Sequence, residues 1–102
     1  MQIFEVRISP EYREDLIGIV EYLNKFSPII GAKYYALIQE KVSSLKTMPF
    51  RCPLVRDEIL AEKGFRWIFA KNYVIFFTVD ERESIVYIER ILYSRVAFDV
   101  LL

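Results

Sequence analysis

Apolar and polar residues alternate from Gln2 to Ile8, with Phe4, Val6 and Ile8 on one face and Glu5 and Arg7 on the other. A period of two predicts a β-strand. Ser9-Pro10 then supplies an N-cap followed by proline at the first helical position, and Glu11, Glu14 and Asp15 complement the positive end of a helix dipole. Leu16, Ile19, Val20 and Leu23 recur at i, i+3, i+4 and i+7, so a helix over about 10–25 carries one apolar stripe. Ser27-Pro28 repeats the start signal, and Ala32, Tyr35, Ala36, Ile38, Val42 and Leu45 extend a second helix to about 46, closing a helix hairpin. Residues 47–62 hold Pro49 and Pro53 among mixed charges and read as an irregular connection, with a helical turn near 57–62. Three antiparallel strands follow over roughly 64–70, 73–79 and 84–92, joined by the tight turn Lys71-Asn72 and the polar loop 80–83. Val96, Phe98, Val100, Leu101 and Leu102 make a short amphipathic tail, expected as a helical turn or docked on the sheet.

The expected fold class is therefore α+β: an N-terminal strand, a two-helix hairpin, then a three-stranded antiparallel meander in one sheet. With 102 residues, 54% of them hydrophobic, the chain has material for one core and no room for a second domain, so 1–102 is a single domain. Eight basic and nine acidic residues in 1–62, and six and five in 63–102, leave neither half a basic tail. This argues against avid nonspecific nucleic-acid binding, which needs many Lys and Arg phosphate contacts. Near-zero net charge with so much apolar surface points instead to a partner that covers some of it. There is no histidine and one cysteine, Cys52. His-based triads, zinc clusters and an internal disulfide are thereby excluded, and neither metal nor cofactor is expected. No apolar run reaches membrane-spanning length, and the strand-like N-terminus is no signal peptide, so a reducing cytoplasm is expected.

Candidate chemistry lies where charges interrupt the apolar strands, at Arg66, Glu89, Arg90 and Arg95. Simple alternation puts Val86, Ile88, Arg90 and Leu92 on one face of the last strand and Tyr87, Glu89, Ile91 and Tyr93 on the other. Arg90 would then lie among aliphatic residues. One reading makes it structural and paired with a carboxylate such as Glu5, Glu21 or Asp80; the other aims it at phosphate. Arg66 projects opposite Phe65, Trp67 and Phe69 and could meet Arg95 on an exposed sheet face, where converging guanidinium groups would hold a phosphodiester. Tyr73, Tyr87 and Tyr93 offer hydroxyls and stacking faces for a base or a proton transfer.

Several segments, in this order, resemble the RelE/ParE superfamily of type II toxins across essentially the whole chain. They are Ile8-Ser-Pro-Glu-Tyr-Arg-Glu-Asp-Leu16, Ser27-Pro28, Met48-Pro-Phe50, Pro53-Leu54-Val55, Gly64-Phe-Arg66, Asn72-Tyr73-Val-Ile-Phe76, Tyr87-Ile-Glu-Arg90 and Tyr93-Ser-Arg95. The label plasmid stabilisation protein is often attached to such chains. The resemblance implies an antiparallel sheet wrapped by a helix hairpin, and a cognate antitoxin in a toxin–antitoxin hetero-oligomer. It also implies one of two targets: DNA gyrase for ParE-like members, or messenger RNA on the ribosome for RelE-like endoribonucleases. RelE-like nucleases are similar to one another in a basic cluster on the central strands and a tyrosine near the C-terminus. Arg66 and Arg95 fall at basic positions of that pattern, with Tyr93 as stacker or proton donor and Arg90 as a structural or phosphate-binding group. Val74 stands where an arginine would be wanted, and residues 94–102 contain no tyrosine. The reading therefore leans toward the gyrase poison; the alternatives are the messenger-RNA endoribonuclease and a binding module without toxicity.

Overall fold

Both Ser-Pro pairs start helices as their chemistry dictates. In the computed structural model, which describes residues 1–100 with side chains through Ala97, helix α1 (Pro10–Asn24) begins where the Ser9 hydroxyl accepts the Tyr12 N–H, and α2 (Pro28–Ser44) where Ser27 accepts that of Ile30. Strand β1 (Glu5–Ile8) precedes the hairpin; α3 (Glu58–Glu62), β2 (Arg66–Ala70), β3 (Tyr73–Asp80), β4 (Ile85–Tyr93) and α4 (Ser94–Val100) follow it. The connection contains a 3-10 turn at Pro49–Arg51, and α3 begins at the Asp57 cap, whose carboxylate accepts the Leu60 N–H. Gly64 takes φ +85° between α3 and β2, a conformation that a side chain would strain. The tail is helical through Val100; Leu101 and Leu102 lie outside the described residues.

The sheet order is β1-β4-β3-β2. The last three strands form the expected antiparallel meander, and β1 joins it parallel to β4 over Glu5↔Ile85 to Ile8↔Ile88. One core lies between the hairpin and the sheet, with Tyr12, Ile38, Leu45, Ile75, Phe77, Ile88 and Ile91 almost fully enclosed. A second, smaller core covers the opposite face, where Trp67, Val74 and Phe76 pack beneath Val55, α3 and Ala97 of α4. Residues 73–77 of β3 are consequently buried on both faces, which explains a run of five apolar residues without alternation. Enclosing one such side chain stabilises by ~1.5–3 kcal/mol.

The alternation expected along β4 is broken. Phe77 pairs with Ile88 but Phe76 pairs with Arg90, so Glu89 is an extra residue, a β-bulge. Upstream of it Val86 and Ile88 face the hairpin; downstream the phase is reversed, so Ile91 joins them and Leu92 enters the second core. Ile88, Arg90 and Leu92 thus do not share a face, nor do Tyr87 and Ile91. Arg90 is not buried among aliphatic residues: 47% of its side chain is exposed.

The Tyr12 hydroxyl is enclosed without a hydrogen-bond partner, and burial, with a further contribution from Tyr35, pushes its pKa up to about 12. Removing an unsatisfied buried hydroxyl should stabilise the chain, so Tyr12→Phe is expected to gain ~1 kcal/mol in urea unfolding near neutral pH. Because the folded state favours the neutral phenol, its contribution is complete below the ordinary phenol pKa near 10 and is lost as pH rises toward about 12. Tyr12→Phe should therefore lose less stability than the wild type over that interval. An identical decline in both proteins would assign the alkaline transition elsewhere.

Candidate functional site

The three arginines singled out by sequence do not converge. Arg66, at the start of β2, pairs with Phe77 and so lies on the hairpin side of the sheet. Its guanidinium donates to the Cys52 carbonyl at 2.7 Å and sits 5.0 Å from the centroid of the Phe50 ring. It fastens the connection to the sheet. Arg95 follows the far end of β4, where Tyr73 pairs with Tyr93. Four residues of strand, roughly 13 Å, separate that end of β3 from the Phe77 position opposite Arg66. Arg95 is exposed and has no polar partner among the described residues. Arg90 is paired as the structural reading requires, but with Asp15 of α1 rather than Glu5, Glu21 or Asp80: its Nε lies 2.7 Å from one carboxylate oxygen and a second guanidinium nitrogen 3.0 Å from the other. Arg66→Ala should accordingly lower stability by ~1–2 kcal/mol in urea titrations and Arg95→Ala by less than about 0.5. Equal losses would contradict these placements.

On the sheet face away from the hairpin, Arg7, Tyr87 and Thr78 line up across three strands. Arg7 bonds Glu5, and Thr78 donates to Glu89 at 3.2 Å. Hydrogen bonding to Arg7 and then its charge hold the Glu5 carboxyl below the usual range, so the pair stays ionised. This face therefore presents two carboxylates and one cation already neutralised. Val74, the position where the resemblance wants an arginine, is fully buried in the second core. Tyr93 is 46% exposed and packs edge-on against Tyr73, 5.7 Å between centroids, on the side of the sheet opposite Tyr87. Cys52 is buried, which raises its thiol pKa and leaves it a poor nucleophile. Among the described residues no cluster of His, Cys, Asp or Glu could hold a metal ion, and no helix is long and apolar enough to cross a membrane.

Two open grooves flank α1. The first, about 700 Å³, runs between β1 and the helices, with Val6, Ile8, Leu16, Ile17, Val20 and Val42 as its apolar lining and Arg13, Glu21 and Lys46 at its rim. Glu5 and Ser9 donate their N–H groups to Ser84 and Ile88, so the intervening Val6 and Ile8 turn theirs away from β4, along the free edge of the sheet. Tyr12 also lines this groove. The second, about 620 Å³, lies between α1 and the β3–β4 end of the sheet and is lined by Tyr22, Tyr34, Tyr73 and Tyr93 with Asp15 and Gly18. Of these, only Tyr73 and Tyr93 are legible in the sequence as candidates. Tyr12 falls four residues before Leu16 on the apolar stripe, a signal for burial; nothing in the sequence pattern marks Gly18 or Tyr34.

A family model described as the ParE toxin of the type II toxin–antitoxin system parDE matches residues 6–98. No curated protein matches. Among solved structures, a chain of the chromosomal ParDE system of P. aeruginosa superposes with a TM-score of 0.72 at 19% identity, covering 91% of this chain and 98% of that one. A chain of the RelBE2 toxin–antitoxin complex of Mycobacterium tuberculosis superposes with a TM-score of 0.61 at 23% identity, covering 89% and 98%. At these identities the two structures establish the fold.

Proposed function

Because this chain belongs to the family of ParE toxins of type II toxin–antitoxin systems, we propose that it inhibits growth in the cytoplasm by acting on DNA gyrase, and that a cognate antitoxin restrains it from the groove beside β1. The observation that carries the choice of target is the dispersal of the arginines. Arg66 is tied to a backbone carbonyl, Arg90 to Asp15, and Arg95 stands at the other end of the sheet. Cleaving a phosphodiester requires stabilisation of charge on phosphorus together with proton transfer to and from oxygen, and each acid or base contribution is worth ~10²–10⁴ in rate. The open sheet face presents the carboxylates of Glu5 and Glu89 instead of free cations, and carboxylates repel phosphate.

The antitoxin reading draws on the first groove. It combines an apolar lining with unpaired strand-edge groups at Val6 and Ile8, the features an added strand or amphipathic segment uses. The solved structures that resemble this chain come from toxin–antitoxin systems, which supports the same partner. Expression of the chain alone should arrest growth, with double-strand DNA damage signalling and intact messages when 5′ ends on translating ribosomes are mapped. Co-expression with the small protein encoded beside it should restore growth and yield a co-purifying complex. Prompt codon-phased cleavage in the ribosomal A site would replace gyrase by messenger RNA as the target. Harmlessness alone, with no complex, would remove the toxin reading for this chain.

A further inference from the structure

The lining of the first groove holds three charged residues, Arg13, Glu21 and Lys46. Lys46 closes the β1 end, where its carbonyl accepts the Phe4 N–H, and Arg13 stands at the same end, in the first turn of α1, donating its backbone N–H to the Ser9 carbonyl. Glu21 lies two turns further along that helix, about 12 Å from Arg13. The lining is thus positive beside β1 and negative at its far end. All three side chains are exposed, and none forms an ion pair among the described residues.

The same groove is continuous with an unpaired strand edge. Where the pairing of β1 stops at Ile88, α1 takes over the edge of β4: Ser9 bonds to Ile88 and Glu89, and Asp15 accepts the Ile91 N–H. Helix α1 thereby prolongs the line of β1, so a segment that bonds the free groups of Val6 and Ile8 and follows the groove passes Arg13 and Lys46 first and Glu21 last. Ile8 and Ile17, 44% and 51% exposed, give it apolar surface to cover on the way. An apolar stripe would cover them whichever way the segment's charges were arranged. The rim decides the arrangement, because an unlike charge at each end attracts and a like one repels.

We infer that the antitoxin segment seated in this groove carries its charges in a fixed order: a carboxylate side chain beside Arg13 and Lys46, next to the part that pairs with β1, and a lysine or arginine about 12 Å away beside Glu21. The assignment rests on the antitoxin reading above and adds to it the polarity that the groove selects. A segment with the reverse order would reach the same apolar lining and meet like charges at both ends.

The test measures Kd at low salt between the full chain and the protein encoded beside it. Arg13→Glu combined with Lys46→Glu should weaken the complex about tenfold, and Glu21→Lys about fivefold. All three positions are exposed, so the Tm of each free variant should stay within about 4 °C of the wild type. Lys63→Glu, at the end of α3 on the other side of the sheet, is the control and should change Kd by less than about twofold. Neutralising the antitoxin's acidic residues one at a time, Asp to Asn and Glu to Gln, should find one whose loss weakens binding to the wild type about threefold and tightens binding to the chain with Arg13 and Lys46 reversed. Changing its lysines and arginines to glutamine in turn should find one with the same change of sign against Glu21→Lys. If the wild-type chain binds but either end lacks this reversal, or Lys63→Glu weakens binding as much, the proposed polarity is wrong while the antitoxin reading stands. If the wild-type chain does not bind, both fall.

Discussion

Replacing Asp15 by alanine is expected to cost about 2–4 kcal/mol of stability, well above the ~1 kcal/mol expected for Arg90→Ala. The asymmetry arises at the edge of the sheet. Parallel pairing of β1 with β4 ends at Ile88, and from there the start of α1 seals the exposed edge. The Ser9 N–H donates to the Ile88 carbonyl at 3.0 Å, and its hydroxyl donates to the Glu89 carbonyl at 2.8 Å. Asp15 completes the seal by accepting the Ile91 N–H at 3.2 Å as well as N–H groups from two of the three guanidinium nitrogens of Arg90. Losing the carboxylate strands a backbone donor on a residue that is 1% exposed, whereas losing the half-exposed guanidinium leaves Asp15 with that donor still to bond. Urea midpoints with a shared slope would measure both, and Asp15→Asn should recover part of the loss. If Arg90→Ala proves as costly as Asp15→Ala, the ion pair and not the backbone contact carries the energy.

Deleting Glu89 should by contrast leave a chain that still unfolds cooperatively, at a cost of about 1–2 kcal/mol from the bonds lost at the bulge. Without the extra residue, the alternation set by Val86 and Ile88 would run on unbroken. Arg90 would still follow Ile88 on the opposite face, and Ile91, 1% exposed, would still point into the core between hairpin and sheet. What the deletion removes is local, the Glu89 carbonyl that accepts the Ser9 hydroxyl and the carboxylate that accepts from Thr78. Glu89→Ala keeps the residue count and removes one bond from Thr78, so its cost should stay near 1 kcal/mol. Circular dichroism melting curves would separate the two. A deletion variant without a cooperative transition would show that β4 requires the bulge itself and not only the alternation of its side chains.

These two sites also mark where sequence reading stops. The helix starts were legible because Ser9-Pro10 and Ser27-Pro28 act within one turn, and the meander because its turn and loop residues are equally local. The bulge was not: one inserted residue leaves no trace in composition, and Val86, Ile88, Arg90 and Leu92 fit strict alternation well enough to place Arg90 on the wrong face. Asp15 was credited to the helix dipole, since nothing near it in sequence announces a strand edge 75 residues away. Arg66 shows the same limit, as its partners Phe50 and Cys52 lie in a connection whose path depends on the finished sheet. The separation of Arg66 from Arg95 follows from strand register, a global property. The family resemblance carried the order of the elements correctly and left open what the charged positions do.

The parallel pairing of β1 with β4 joins residues 80 positions apart, Glu5 with Ile85. Closing a loop of that length costs ~4 kcal/mol or more in chain entropy before any contact repays it, so β1 is expected to dock late. Until it does, the β4 edge from Ile85 to Ile88 has no strand beside it, and the wall that Val6 and Ile8 give the first groove is missing. A folding copy therefore gains the groove beside β1 in the same late step that completes its sheet.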